Sequence, residues 1–426
     1  MKHILFVLML VVITTSRCRA ESLSLDEAIT TALNSSVVMV EAKERLEAAE
    51  AKSGSVRSAW WPQITLVADW NKGRSFLTAL GSIKETEVGT VGIQLRQTVY
   101  DFGRTAGLSA SQLANQKAVA ESVGLSREDL ELRVKLAYQQ ALAVRSQSSI
   151  AYTAESLSRQ LYEQAQQFYK QGLRPKVEML RAEGNLYSAS AAVLKADNAV
   201  VIADLELARI MGLQKLGGRV PVKQSETLQA LPDLEQALEI GLQQRREFVR
   251  SRYEQQAAQQ ATKAARSGHL PLIAVTGGAG YASKYLPPDG GIWNIGITLT
   301  IPVFSGMNTS YQVKEAIALE RAADARSKDL YLQIATEIEA AWRSVKEVDL
   351  RYLATEKAKE AGQEQSRIAL ERYRQGVGSM IEASDAQQQA YRAENEQLVT
   401  DFERSTTRAV FARVLGQTSL SNRGKD

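Results

Sequence analysis

Val91-Gly-Ile-Gln-Leu-Arg-Gln-Thr-Val-Tyr100 is followed about 204 residues later by Ile295-Gly-Ile-Thr-Leu-Thr-Ile-Pro-Val-Phe304. Apolar and polar residues alternate through both stretches, the period of a strand whose two faces meet different surroundings. The echo extends outward. Trp61-Pro62-Gln-Ile64 returns as Leu270-Pro271-Leu-Ile273, Leu25-Asp-Glu-Ala28 as Leu234-Glu-Gln-Ala237, and Tyr169-Lys-Gln-Gly-Leu-Arg-Pro175 as Tyr373-Arg-Gln-Gly-Val-Gly-Ser379. A period this long is one structural half, duplicated, rather than a solenoid unit. Each half reads as short helix, helix, strand, strand, very long helix, tight turn and long helix.

Alternation defines four strands. Ile64, Leu66, Ala68 and Trp70 oppose Gln63, Thr65 and Asp69; Val91, Ile93, Leu95 and Val99 oppose Thr90, Gln94, Arg96 and Thr98. Trp293, Ile295, Ile297, Leu299, Ile301 and Val303 oppose Asn294, Gly296, Thr298 and Thr300, whereas three glycines dilute the strand from Leu272 to Tyr281. The strands are placed at 62–71, 88–101, 271–281 and 292–304. Clean alternation over about ten residues fits a membrane barrel strand, and a half-buried soluble sheet shares it. Trp60, Trp61, Trp70 and Trp293 lie at or in these strands, where interfacial girdles place aromatic rings, and Tyr100 and Phe304 stand at strand ends. Known bacterial barrels begin at about 8 strands, so four strands imply a share of an oligomer. The connections 72–87 and 282–291 read as polar surface loops.

The remaining tracts are helical. Proline occurs at 62, 175, 221, 232, 271, 287, 288 and 302, leaving 103–174 and everything beyond 302 free of it. Leu130, Val134, Ala137, Ala141 and Val144 step by heptad spacing, as do Leu157, Leu161, Gln164 and Phe168, and Ile338, Ala341, Val345, Val348 and Tyr352. A helix from 103 to 171 is roughly 100 Å long at 1.5 Å per residue.

Residues 1–20 read as a secretory signal peptide, with Lys2 and His3 before an apolar run from Ile4 to Ile13 and cleavage expected after Ala20. Lipidation at Cys18 is the alternative, and Ser16-Arg17 fits it poorly. Removal of the leader takes away the one cysteine and one of two histidines. Little then remains for a thiolate or histidine metal site or a His-based triad, so no metal, cofactor or enzymatic activity is expected. No later segment holds eighteen consecutive apolar residues, so a helical membrane span is not expected. The net charge of +4 is spread over residues of both signs and gives no support for nucleic acid. The halves are expected at 21–220, with a helix hairpin over 103–212, and at 221–416, with a hairpin over 306–416, followed by a tail over 417–426.

Several motifs in this order resemble the TolC-like outer-membrane efflux proteins, or outer membrane factors, over essentially the whole chain after the leader. They are Leu25-Asp-Glu-Ala28, Trp61-Pro62, Val99-Tyr-Asp-Phe-Gly-Arg104, Tyr169-x-x-Gly172, Tyr373-x-x-Gly376 and Val414-Leu-Gly416. The resemblance implies a mainly α fold with a transmembrane β part: a homotrimer whose twelve-stranded β-barrel in the bacterial outer membrane continues as a long periplasmic α-helical barrel. It implies a passive exit duct for efflux or type I secretion. Its partners would be a periplasmic adaptor, an inner-membrane efflux pump or ABC exporter, and outer-membrane lipid. A periplasmic coiled-coil adaptor or scaffold is the competing reading, and paired ten-residue strands with aromatic borders argue against it.

Two sites follow from the resemblance. Glu382 and Asp385, three apart on a helix, would form an acidic ring at the periplasmic aperture and attract cations. Ser379-x-x-Glu382 is equally a capping-box pattern. In the first half Pro175-x-x-Glu178 places proline at the first helical position, and Arg181 replaces the second acid. The tips Gly172, Leu173, Arg174 and Pro175, and Gly376, Val377, Gly378 and Ser379, would dock the adaptor, while glycine there also ends a helix.

Overall fold

The structure, a computed structural model, describes residues 22–77, 82–223 and 230–417. The expected leader with Cys18, and all but the first residue of the expected tail, lie outside them. The elements run β1 (Ser22–Leu23), α1 (Leu25–Ser35), α2 (Val37–Arg57), β2 (Gln63–Leu77), β3 (Ser82–Tyr100), α3 (Arg104–Lys170), α4 (Lys176–Ile210), β4 (Val220–Pro221), α5 (Leu234–Gln244), α6 (Arg246–Ser267), β5 (Leu272–Ser283), β6 (Gly290–Thr300), α7 (Asn308–Arg374) and α8 (Met380–Val414). Two compact units cut across the sequence repeats. One comprises residues 1–37, 129–232 and 341–412, the other 38–128, 233–340 and 413–426. Each therefore draws on both halves, and α3 and α7 contribute to both.

The first unit is helical. Ser24 caps α1 with a complete capping box: its hydroxyl accepts from the Glu27 N–H at 3.2 Å, and the Glu27 carboxylate accepts from the Ser24 N–H at 2.9 Å. β1 pairs in parallel with β4, and Tyr138 pins the pair, its hydroxyl lying 2.6 Å from Leu23 O and accepting from the Val222 N–H at 3.0 Å. The same bond recurs in the second half, where Trp342 Nε1 donates to Pro232 O at 2.8 Å. Leu130, Val134, Ala141 and Val144 are buried along the expected seam, while Ala137 is half-buried and Tyr138 takes the inner position. The seam moves by one residue there because the ring has a polar target beneath it. One eighteen-residue window of α4 reaches a mean hydropathy of 1.2, so by length and composition alone this helix could cross a membrane, although no eighteen apolar residues run consecutively. Ala182, Leu186, Val193, Ala203 and Leu207 bury one face of α4, and Leu180, Tyr187, Leu194 and Val201 stay exposed at seven-residue spacing.

A four-stranded antiparallel sheet in the order β2-β3-β5-β6 dominates the second unit, and β2 and β6 form its edges. Register aligns the apolar positions into rows: Ile64–Leu95–Gly277–Ile295, Leu66–Ile93–Ala279–Trp293 and Ala68–Val91–Tyr281–Gly291. Rows between them face the other way, including Thr65–Gln94–Gly278–Asn294 and Asp69–Thr90–Ala282–Gly290. One face is thus continuously apolar and the other largely polar. Gly92 and Gly280 permit the β3–β5 approach, since a Cβ on Gly280 would lie 2.3 Å from Val91 O.

The strands differ from expectation at several of their ends. β2 and β3 continue through 72–77 and 82–87, which read as a loop because Lys72, Arg74, Glu85 and Glu87 break the apolar alternation. Cross-strand pairs hold that extension, with Lys72 Nζ 3.4 Å from Glu87 and 3.7 Å from Glu85. β5 likewise runs to Ser283, and β6 begins at Gly290, inside the second expected loop. β6 ends at Thr300, so Ile301, Val303 and Phe304 lie beyond the ladder. Pro302 has no N–H to donate there. Beyond the sheet, Arg245 at the α5–α6 joint is 8% exposed and donates to Glu247 at 2.7 Å and Glu337 at 2.6 Å.

Candidate functional site

At the hairpin tips the two halves close their long helices with the same pair of backbone bonds. Gly172 (φ +72°) and Gly376 (φ +79°) occupy the left-handed region that favours glycine. Their N–H groups donate to Tyr169 O and Tyr373 O, each at 3.0 Å. The next residues, Leu173 and Val377, donate to Phe168 O at 2.9 Å and Arg372 O at 3.0 Å. These are Schellman closures of α3 and α7. Leu173 and Val377 remain 65% and 69% exposed. Pro175 caps α4 rather than opening it, one position before that expected.

Arg174 joins the tips. Its Nη2 donates to Gly376 O at 2.8 Å and Gly378 O at 2.9 Å, and Nη1 lies 3.7 Å from Glu178. Beneath, Leu161, Ala165, Ala182, Leu370, Tyr373, Met380 and Ala383 form a buried cluster drawn from both hairpins. Tyr373 packs edge-on against Phe168 with centroids 5.8 Å apart. Burial, and then the negative Glu178, raise its phenol above the ordinary range.

Glu382 and Asp385 lie on one exposed face of α8, beside Gln365 and Ile368 of α7. Ser379 Oγ accepts from the Glu382 N–H at 3.1 Å, so the serine caps α8. The Glu382 carboxylate does not complete a box; it meets Arg372 Nε at 3.2 Å. Capping is therefore carried by Ser379, and the carboxylate stays half-exposed beside a counter-ion. Sequence reasoning missed Arg372, which has no mark of its own in the sequence.

The aromatic positions expected at a membrane border are all exposed, from 46% at Trp70 to 82% at Phe304, with Trp60, Trp61, Tyr100 and Trp293 between. Trp70 lies on the Gly89 row, Tyr281 on the Ala68 row and Trp293 on the Leu66 row. The three rings share the apolar face and descend obliquely across the sheet.

The sequence matches the family described as outer membrane efflux protein over residues 28–213 and again over 237–417. Outer membrane protein TolC of Vibrio cholerae serotype O1 is 29% identical over 316 residues, 71% of this chain and 67% of that protein. Among solved structures, the outer-membrane channel OprN superposes with a TM-score of 0.82 at 19% identity, over 92% of this chain and 90% of that one. The Campylobacter jejuni CmeC outer membrane channel gives 0.81 at 18% identity, over 94% and 88%.

Proposed function

We propose, for a chain that belongs to the outer membrane efflux protein family and is an outer-membrane efflux channel subunit, a homotrimeric exit duct. Each copy supplies four strands, and three copies close a twelve-stranded barrel by pairing β6 of one with β2 of the next. The observation that carries this reading is the apolar face of a sheet whose two edge strands, among the described residues, have no further strand beside them. In lipid such edges leave backbone groups unsatisfied, and closure on neighbouring copies satisfies them.

The aromatic line supports the same reading. From Trp70 to Trp293 it moves four residues, roughly 13 Å at 3.3 Å per residue, over three strand spacings of about 4.8 Å. That is a slope of about 43°, within the roughly 35–45° tilt of membrane barrels. From Trp61, just before β2, to Trp70 within it, this tilt gives a band roughly 22 Å high at 3.3 Å per residue, close to the about 25 Å apolar belt of such barrels. The polar face, with Thr65, Asp69, Gln94 and Asn294, then lines a water-filled lumen.

The tips, with exposed Leu173 and Val377, dock a periplasmic adaptor that couples the duct to an inner-membrane efflux pump or ABC exporter. Glu382 and Asp385, three-fold repeated, form an acidic ring that concentrates cations at the aperture. Purified protein in planar lipid bilayers is expected to give discrete ion-conducting steps with cation preference. Failure to conduct in any assembled preparation contradicts the duct.

A further inference from the structure

The β5–β6 connection, residues 284–289, turns directly after Ser283. The Ser283 hydroxyl donates to Tyr285 O at 3.0 Å and accepts from the Tyr285 N–H at 3.1 Å, a side-chain-closed turn that reverses the chain. The turn brings the segment back onto the apolar face. A Cβ built on Gly89 would lie 3.3 Å from the Trp70 ring, 3.5 Å from Leu286 Cδ2 and 3.7 Å from Pro288 Cγ. Gly89 belongs to the row of Trp70, so Leu286 and Pro288 fold back from the loop and join Trp70 over β3.

The chain itself hides little of this cluster. Tyr285 is 73% exposed and Leu286 68%. Burying a leucine side chain is stabilising, and the loop leaves that gain unrealised in water. Position supplies the occupant. On this face the side chains are apolar up to Trp70 and ionic just beyond it, where Lys72 meets Glu85 and Glu87. The loop stands at that border, continuous with the apolar face, at the sheet end away from α3 and α7.

We propose that residues 285–288 form a membrane-seated anchor, with Tyr285 and Leu286 in the outer leaflet of the outer membrane at the depth of Trp70. The segment widens the lipid contact of each subunit beyond its four strands, and its tyrosine takes the interfacial place that such rings favour. The proposal rests on the lipid-facing reading of the apolar sheet face.

The test places single cysteines at Leu286 (L286C) and, on the sheet, at Ile295 (I295C), each labelled with an environment-sensitive fluorophore. The unsubstituted chain, whose one cysteine is Cys18, is treated alike as background. The full assemblies are reconstituted into phosphatidylcholine vesicles carrying brominated acyl chains. Both labels are expected to lose emission to the brominated lipid to a similar extent and to resist aqueous iodide. Lipid quenching at Ile295 with iodide quenching at Leu286 overturns the anchor and leaves the lipid-facing sheet intact. Shielding of Leu286 from both quenchers also overturns it, because a protein surface then covers the loop. Lipid quenching at neither position overturns the lipid-facing sheet, and the anchor with it. Y285C repeats the measurement if L286C does not assemble.

Discussion

Arg145 and Asp349 stand 204 residues apart, hold equivalent places on α3 and α7, and carry opposite charges. Arg145 Nη2 donates to both carboxylate oxygens of Asp204 at 2.6 and 2.7 Å. Asp349 accepts from Arg408 Nη2 at 2.5 Å, and Arg408 is the counterpart of Asp204. The ion pair has been kept through the duplication while its polarity has been exchanged. Position, not the sign of either residue, is what the helix pair requires.

That relation makes the first-half pair exchangeable. Arg145→Asp alone and Asp204→Arg alone are each expected to destabilise by about 1–3 kcal/mol, since a partly buried charge faces its like. The double exchange should recover most of the loss. A double-mutant cycle on the unfolding midpoint measures it, and additive losses would show that the pair does not couple.

Asp349 also sets an acid limit. Burial pushes its carboxyl up, and hydrogen bonds and charge from Arg404 and Arg408 outweigh that, leaving it below the usual carboxylate range. A depressed acid stabilises fully above its unfolded value of about 3.9, and that contribution fades as pH falls through the folded value. Wild-type protein should lose stability on acidification below about pH 4 more steeply than Asp349→Asn, and equal acid limbs would remove the effect.

The glycines rank themselves. Gly212 has φ +75°, and an added Cβ would lie 2.5 Å from Ser35 O. Gly416, its counterpart, has φ +74° with a Cβ 3.0 Å from Gln244 C, while Gly172 opens to free space. Alanine at Gly172 is expected to cost about 1–2 kcal/mol for the left-handed backbone alone. Gly416→Ala should cost more and Gly212→Ala most, as read by thermal unfolding.

Arg372, the counter-ion of Glu382, gives the proposed acidic ring a two-sided test. Glu382→Ala with Asp385→Ala should weaken cation preference in single-channel recordings. Arg372→Ala should strengthen it, because it unmasks Glu382. Unchanged selectivity in both variants would remove the ring. Arg174→Ala breaks the bridge to Gly376 and Gly378 and should loosen the tips, read as larger or noisier conductance steps; steps identical to wild type would show that the bridge does not hold the aperture.

Much of this was legible in the chain. Alternation around Trp293 to Leu299 fixed an apolar face because side-chain direction alternates with every residue. Gly172 and Gly376 marked the tips because few other residues accept their backbone angles. The extension of β2 and β3 past Asn71 was hidden, since Lys72 and Glu87 carry charge where apolar residues had marked the strand. The bridge made by Arg174 and the ion pair of Arg372 were opaque for another reason: their partners lie in the other hairpin or across a turn, and ordinary surface arginines look the same in sequence. The loop at Tyr285 reads as solvent-exposed until Leu286 is seen over Gly89.

The mass of the detergent-extracted particle from purified outer membranes tests the central claim most directly. Three chains per particle is the result the account predicts, because only then do the edges of β2 and β6 find partners in a closed barrel. A monomer or dimer that remains stable and soluble without detergent would contradict it, and would turn the apolar face into the buried side of an ordinary sheet.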